Sequence, residues 1–109
     1  MLKGVGRLLR QYGFVTVPFE TAKALKDHNN FDQAFCIVLD VNLSDGSGIE
    51  LRHQLADSGV DLPVIYITGN DSDATRIAAQ ASGCLAYLTK PFTARSLIEP
   101  IERAAAAAT

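Results

Sequence analysis

The stretch Phe35-Cys36-Ile37-Val38-Leu39-Asp40 decides the fold. An apolar run of this length is typical of a strand buried on both faces, as in a parallel sheet covered by helices. Asp40 closes the run, and the turn-rich residues 42–48 follow it. Catalytic and ligand-binding groups in open α/β sheets gather just beyond the carboxyl ends of the strands, so Asp40 is a candidate nucleophile or metal ligand.

Two further apolar runs end in residues with useful chemistry. Val64-Ile65-Tyr66-Ile67 ends in Thr68-Gly69, and Leu85-Ala86-Tyr87-Leu88-Thr89 ends in Lys90-Pro91. Because the carboxyl ends of parallel strands meet at one edge of a sheet, the three strand ends should lie together. The sequence therefore predicts an acid, a hydroxyl and an ammonium group along one edge.

Composition suits one soluble globular domain. The chain has 109 residues, of which 48% are apolar and 20% are charged. No apolar run approaches the ~18 residues of a membrane span, and Met1 leads into an amphipathic pattern instead of a signal peptide. A net charge of -2 gives no general basic field for nucleic acid. We expect a cytoplasmic protein that binds neither membranes nor nucleic acid directly.

Helical and strand-like spacing alternate along the first third of the chain. Apolar residues at helical spacing form one face, made of Leu2, Val5, Leu9 and Tyr12. Gly13 ends this helix, in which Met1 already lies. We predict a short strand over residues 14–19. Pro18 indicates an edge position for it, because proline has no backbone N–H to donate to a neighbouring strand. A second helix is predicted over residues 21–27.

Later helices carry clear start signals. Ser47-x-x-Glu50 forms a capping box. The cluster at residues 71–73 and Thr93 supply caps for the next helix and the last one. Pro100 lies inside the last helix, so a kink or broken turn is expected there. The order α-β-α-β-α-β-α-β-α implies a doubly wound parallel α/β sheet with right-handed crossovers and helices on both faces.

Taken together, these features resemble the bacterial response-regulator receiver domains of two-component signalling. The resemblance rests on Val38-Leu39-Asp40-Val41-Asn42-Leu43, Ile67-Thr68-Gly69 and Tyr87-Leu88-Thr89-Lys90-Pro91-Phe92, in the family's order and spacing over nearly the whole chain. It implies a flavodoxin-like fold and a phosphorelay module rather than an enzyme with its own substrate. The implied partner is a sensor histidine kinase or a phosphotransfer protein.

The resemblance also implies roles for the residues at the sheet edge. Asp40 would be the phosphoacceptor, Thr68 would bond a phosphoryl oxygen, and Lys90 would pair with Asp40 or the phosphate. Tyr87 would be the aromatic switch that turns inward when Thr68 moves. This agrees with the chemistry, since a transferring phosphoryl group spreads negative charge over three oxygens that a lysine, a hydroxyl and a divalent cation stabilise.

Further roles concern the loops around that edge. Gly69 would leave space for the phosphate, and the Lys90–Pro91 peptide bond would be cis. The carboxylate of Asp40 and the backbone carbonyl of Asn42 would be ligands of the Mg²⁺ that the family employs.

The sequence departs from the family at its start. Receiver domains begin with a central strand that ends in an acidic pair holding Mg²⁺, whereas here Met1 already lies in a helix. We therefore expect one receiver-like domain over residues 1–109, N-terminally truncated and without an output domain. Its sheet would lack the first, central strand, its metal site would be incomplete, and its phosphorylation would be impaired. Asp45 or Asp71 could substitute in the metal site, although neither sits at the family's position.

A missing central strand would leave a gap in the sheet with unpaired backbone groups. Residues 14–19 could close it by pairing directly with the Asp40 strand, or a second copy could cover the exposed edge in a homodimer.

Three other functions remain open. A degenerate receiver would keep the fold as a phosphorylation-independent protein-binding or dimerisation module. A phosphatase of the haloacid-dehalogenase type would also use a strand-end Asp, but it needs a second Asp two residues later, where Asn42 stands. A flavodoxin-like cofactor binder would need a Gly-rich phosphate loop after its first strand.

Overall fold

The computed structural model describes residues 3–28 and 31–108. Its strands are β1 (Ile37–Asp40), β2 (Asn42–Leu43), β3 (Gly46–Ser47), β4 (Val64–Thr68) and β5 (Ala86–Thr89). Its helices are α1 (Lys3–Gln11), α2 (Ala22–Asp27), α3 (Gly48–Asp57), α4 (Asp73–Ala81) and α5 (Ala94–Ala108). The centre is a parallel sheet in the order β1-β4-β5, and β2 and β3 form a small antiparallel hairpin after β1.

The middle strand, β4, is buried along its whole length. It pairs in parallel with β1 on one side and with β5 on the other. Successive side chains of a strand point to opposite faces, so Val64 and Tyr66 lie on one face and Ile65 and Ile67 on the other. Both faces of this strand therefore need apolar cover.

Helices supply that cover on both faces, as the sequence predicts. One core joins the Tyr66 face to α2, α3 and α4 through Leu25, Leu51, Leu55 and Ala79. The other core joins the Ile65 face to α1 and α5 through Leu9, Leu97, Ile98 and Ile101. The sheet therefore lies between two helical layers, which is the α/β architecture expected from the alternating pattern.

The predicted helix starts are confirmed. The Ser47 hydroxyl accepts hydrogen bonds at the start of α3, and the Ser72 hydroxyl does the same at the start of α4. Thr93 accepts from a backbone N–H in the first turn of α5. The prediction of a broken turn at Pro100 is wrong, because α5 continues through this residue, which is buried. In the part of the chain described, no helix has both the length and the apolar content that a bilayer crossing needs.

The first helix, α1, ends where the sequence predicts. Gly13 has a φ of 87°, a left-handed conformation that favours glycine and stops the helix. Leu9 is buried in the core, whereas Tyr12 is exposed. Met1 and Leu2, which the sequence places in this helix, lie outside the described residues.

The prediction of an edge strand over residues 14–19 is wrong. This segment has no strand structure and pairs with no other strand. Phe14 packs against Phe35, with ring centroids 6.0 Å apart, but the side chains of Val15 and Val17 are 96% and 65% exposed. A strand gains its stability from a neighbouring ladder, and a segment without one stays irregular however suitable its residues are.

Consequently, β1 has a neighbour on one side only among the described residues. The backbone N–H groups of Ile37 and Val41 donate towards the β4 side, each over 2.9 Å. In a parallel ladder alternate residues bond to opposite sides, so the backbone groups of Val38 and Asp40 face the open edge. Direct pairing of residues 14–19 with this edge, one of the two expected ways to close the sheet, does not occur.

We predict that Gly48→Ala destabilises the fold. Gly48 begins α3, and a Cβ added there would overlap the backbone carbonyl oxygen of Asp40. Overpacking of this kind costs about 1–3 kcal/mol of unfolding free energy, which urea titration measures. Gly4→Ala is the matched control, because a Cβ at that helical position meets no atom within 4 Å and should stabilise the protein by about 0.5–1 kcal/mol. Equal stability of the two variants would contradict the close approach.

Candidate functional site

Asp40, Thr68 and Lys90 lie together at the carboxyl edge of the sheet. Asp40 is the last residue of β1, Thr68 is the last of β4, and Lys90 directly follows β5. The backbone N–H of Lys90 donates to the Thr68 carbonyl over 2.9 Å, and its Nζ lies 3.9 Å from Oδ2 of Asp40. Parallel pairing of the three strands therefore brings the predicted acid, hydroxyl and ammonium group to one place.

The two oxygens of Asp40 have different surroundings. Oδ1 accepts a hydrogen bond of 2.9 Å from the backbone N–H of Asn42. Oδ2 faces the Lys90 ammonium at a distance too long for a good hydrogen bond. The Asp40 side chain is 12% exposed and the Lys90 side chain 42%, so a buried carboxylate meets a cation at the mouth of the site. One carboxylate oxygen is thus held by a backbone hydrogen bond, and the other faces the ammonium group of Lys90.

The Thr68 hydroxyl is fully buried and already has partners. It accepts from the backbone N–H of Asn70 over 3.0 Å and from Nδ2 of Asn42 over 3.4 Å. Asn42 therefore bridges the site, with its backbone bonded to Asp40 and its side chain to Thr68. The sequence analysis considered only the backbone carbonyl of Asn42, as a Mg²⁺ ligand. The position of Asn42 two residues after Asp40 is the one sequence signal for this bridging role.

Gly69 and Pro91 flank the three converging residues. Gly69 is exposed, and a Cβ placed on it would lie 3.7 Å from Cδ of Lys90. A side chain at this position would therefore stand beside the lysine. The Lys90–Pro91 peptide bond is cis.

The Tyr87 hydroxyl is bonded away from Thr68. It donates to Oδ1 of Asp71 over 2.8 Å, and the guanidinium of Arg76 pairs with the other oxygen of Asp71. Burial, together with the bond to Asp71, raises the pKa of the Tyr87 hydroxyl. Sequence reasoning missed both Asp71 and Arg76 as partners of Tyr87; the acid–base spacing of Asp71, Asp73 and Arg76 was the available signal.

Asp45 and Asp71, the two acids considered as substitute metal ligands, have other partners. Asp45 accepts from two backbone N–H groups at the start of α2, over 2.9 and 3.2 Å, and these bonds lower the pKa of its carboxyl group. Asp71 is paired with Tyr87 and Arg76. Within residues 3–28 and 31–108, no three His, Cys, Asp or Glu side chains form a metal-binding group. Among these residues, Asp40 is the carboxylate at the strand ends that could contribute to a Mg²⁺ site of the kind the family employs.

The geometry limits the chemistry that this edge can support. A carboxylate beside an ammonium and a hydroxyl can accept an electrophilic group that carries negative charge. A phosphatase of the haloacid-dehalogenase type would need a second acid two residues after Asp40, but Asn42 stands there and its amide is bonded to Thr68. The described site therefore lacks the second acid that this phosphatase class uses.

Comparisons with known proteins agree on one family. The profile of the response regulator receiver domain matches residues 1–102. Nodulation protein W of Bradyrhizobium diazoefficiens is 30% identical over 101 residues, which cover 93% of this chain and 44% of that protein. The transcriptional regulatory protein FixJ of Rhizobium meliloti is 30% identical over 102 residues, which cover 94% and 50%. The chain thus spans about half the length of the curated relatives that it matches.

Solved structures agree with this assignment. A response regulator receiver protein from Pseudoalteromonas atlantica has a TM-score of 0.90 and covers 97% of this chain and 88% of its own, although its 22% identity speaks for the fold alone. A BeF₃-activated receiver domain, that of DrrB, is 31% identical with a TM-score of 0.79, covering 96% and 87%. Because the family profile extends over almost the entire sequence, the chain belongs to the response regulator receiver domain family, whose members are signalling modules of two-component systems rather than enzymes.

Proposed function

We propose that this receiver domain accepts a phosphoryl group on Asp40 from a sensor histidine kinase or a phosphotransfer protein, and signals through protein contacts. The observation that carries the proposal is the convergence of Asp40 with Lys90, whose Nζ lies 3.9 Å from Oδ2, and with Thr68 on the adjacent strand. This group of side chains suits the transfer of an anionic group to a carboxylate.

The surroundings of Asp40 suggest how the transfer proceeds. The Asn42 N–H holds Oδ1 and leaves Oδ2 as the attacking atom. Oδ2 forms a bond to phosphorus while the phosphorus–nitrogen bond of the donor's phosphohistidine breaks. Negative charge on the phosphoryl oxygens is then met by the ammonium of Lys90 and the hydroxyl of Thr68.

Residues around this step have supporting roles in the proposal. Gly69 keeps the space beside Lys90 free for the phosphoryl group. The Thr68 hydroxyl, which accepts from Asn70 and Asn42, donates its O–H to a phosphoryl oxygen, and Tyr87 turns inward as Thr68 moves. Pro91 follows Lys90 across the cis peptide bond.

We further propose that phosphorylation of this chain is impaired. Mg²⁺ binding in the family stabilises the charge that develops on the phosphoryl oxygens, a contribution of several kcal/mol. Here Asp40 is the one carboxylate that the described residues direct into the site, and Asp45 and Asp71 are bonded elsewhere. A loss of about 3 kcal/mol slows the transfer by about two orders of magnitude.

The alternative function is a degenerate receiver that binds proteins without phosphorylation. Two observations favour it, the incomplete metal donor set and the open edge of β1 in the part of the chain described. An open strand edge can pair with another chain, which allows a homodimer. A docking module of this kind should be indifferent to Asp40→Asn, and a monomer mass in light scattering at micromolar concentration would count against the dimer.

We predict slow, incomplete phosphorylation of the purified chain by acetyl phosphate, with little dependence on Mg²⁺. The physical reason is the shortage of carboxylates to hold the cation. Intact-mass measurement over time, with and without Mg²⁺, follows the phosphorylated fraction. Asp40→Asn is the control, because it keeps the shape of the side chain, removes the nucleophile and should abolish labelling.

Each outcome of this measurement decides between the functions. Fast and complete labelling that requires Mg²⁺ would overturn the impairment. Labelling that survives in Asp40→Asn would overturn the assignment of the acceptor. If no label appears in either protein under forcing concentrations of the donor, the docking module is the better description.

A second prediction concerns the buried hydroxyl of Thr68. Thr68→Val keeps the shape of the side chain but leaves the N–H of Asn70 and the amide of Asn42 without their acceptor. We expect a loss of about 1–3 kcal/mol in unfolding free energy. Thr68→Ser is the matched control, since it keeps the hydroxyl and loses one buried methyl group, at a cost of about 0.8 kcal/mol. If urea titration gives Thr68→Val an unfolding free energy no lower than that of Thr68→Ser, these hydrogen bonds do not stabilise the resting site.

A further inference from the structure

Three side chains from three different segments meet on the surface beside the candidate site. Asp71 lies in the loop after β4, Arg76 in α4 and Tyr87 in β5. The Tyr87 hydroxyl donates to Oδ1 of Asp71 over 2.8 Å, and Nη2 of Arg76 pairs with Oδ2 of the same carboxylate. Asp71 is therefore held from both sides, and each of its oxygens has a separate partner.

The charges of the three groups reinforce one another. The hydrogen bond from Tyr87, helped by the pairing with Arg76, lowers the pKa of the Asp71 carboxyl group. Burial and the bond to Asp71 raise the pKa of Tyr87. At neutral pH an ionised carboxylate thus accepts from a neutral phenol, which is a charge-assisted hydrogen bond and stronger than one between neutral groups.

We propose that Asp71, oriented by Arg76, is a positioning residue that holds Tyr87 in its present orientation and so opposes the inward turn. The Tyr87 ring packs against the core that contains Tyr66 and Leu51, and its hydroxyl is tied to the loop that begins just after Thr68 and Gly69. Any rotation of Tyr87 about its side-chain bonds must first break the bond to Asp71. We call this hydrogen bond from Tyr87 to Asp71 the latch. It connects the strand that precedes Lys90 to the loop that follows Thr68.

The proposal deepens the proposed function, on which its role in signalling rests. If Tyr87 turns inward when Asp40 is phosphorylated, the bond to Asp71 biases the domain towards the resting state. Both side chains are near solvent, so water replaces part of what is lost. Removal of Asp71 should therefore favour the inward state by a modest factor, about two- to fivefold.

Asp73 provides a matched control. Its carboxylate also pairs with Arg76, at 3.3 Å, and it lies only two residues from Asp71, but it does not bond to Tyr87. Asp71→Ala and Asp73→Ala each remove one acidic group next to the same guanidinium. A difference between these variants therefore reports the bond to Tyr87 and not the local loss of charge.

The first experiment reads Tyr87 directly and needs no phosphorylation. The protein is labelled with 3-fluorotyrosine, and Tyr87→Phe identifies the ¹⁹F signal of this residue among the 3 tyrosines. In Asp71→Ala we expect the Tyr87 signal to shift and its titration midpoint to fall, because the carboxylate that raises the pKa of the phenol is gone. In Asp73→Ala both should stay at the wild-type values. A Tyr87 signal and midpoint unchanged in Asp71→Ala would overturn the latch.

The second experiment tests the coupling to the site. Beryllofluoride with Mg²⁺ serves as the probe, since it activates one of the matched receiver domains. Its dissociation constant should fall about two- to fivefold in Asp71→Ala and remain unchanged in Asp73→Ala. Equal binding by Asp71→Ala and wild type would overturn the positioning role. If no variant binds the probe, the latch still stands or falls by the fluorine signal of Tyr87, and the phosphoacceptor function is decided separately by the labelling of Asp40 with acetyl phosphate.

Discussion

Parallel pairing in a fixed register is the constraint on which the functional edge depends. Asp40 lies opposite Ile67, and Thr68 lies opposite Thr89, so the strand ends are level to within one residue. A slip of one residue in either ladder would turn the strand's side chains to the wrong faces. The burial of β4 on both faces prevents such a slip, because each face must meet its own helical layer. The apolar cores therefore set the positions of the polar residues.

Much of this arrangement could be predicted from the sequence because its causes are local. Apolar runs of strand length identify β1, β4 and β5, and the caps at Ser47 and Ser72 fix where α3 and α4 begin. Once the strands are taken as parallel, the residues at their ends must share an edge, so Asp40 and Lys90 come together without knowledge of any contact. Local patterns, together with the rule that parallel strands end at one edge, were sufficient to predict that Asp40, Thr68 and Lys90 lie together.

The parts that the sequence did not predict depend on non-local partners. Residues 14–19 have the composition of a strand, but a strand needs a neighbour, and the local pattern cannot say whether one is there. The side chain of Asn42, just after β1, reaches Thr68 at the end of the neighbouring strand β4, and Tyr87 meets Asp71 only after β4 and β5 have paired. Spacing along the chain carries little information about such bonds. Hydrogen bonds between side chains that are distant in sequence could therefore not be predicted from the sequence.

The resting site is held by several specific bonds, and this decides how strongly a phosphoryl group could change it. The Thr68 hydroxyl accepts from Asn70 and Asn42, and Tyr87 donates to Asp71 through a bond that an inward turn of Tyr87 would break. A ligand shifts an equilibrium only by the difference in its affinity for the two states.

The phosphoryl group adds a charge of about −1.5 to −2, whereas Lys90 supplies one positive charge on a side chain that is 42% exposed. At 4 Å such an attraction falls from about 4 kcal/mol near a protein surface towards about 1 kcal/mol in water. If the site holds no cation firmly, as proposed above, the attraction gained at Asp40 is of the same order as the hydrogen bond from Tyr87 to Asp71 that an inward turn would break. Under the proposed function, this balance favours the resting conformation and makes the conformational response to phosphorylation weak.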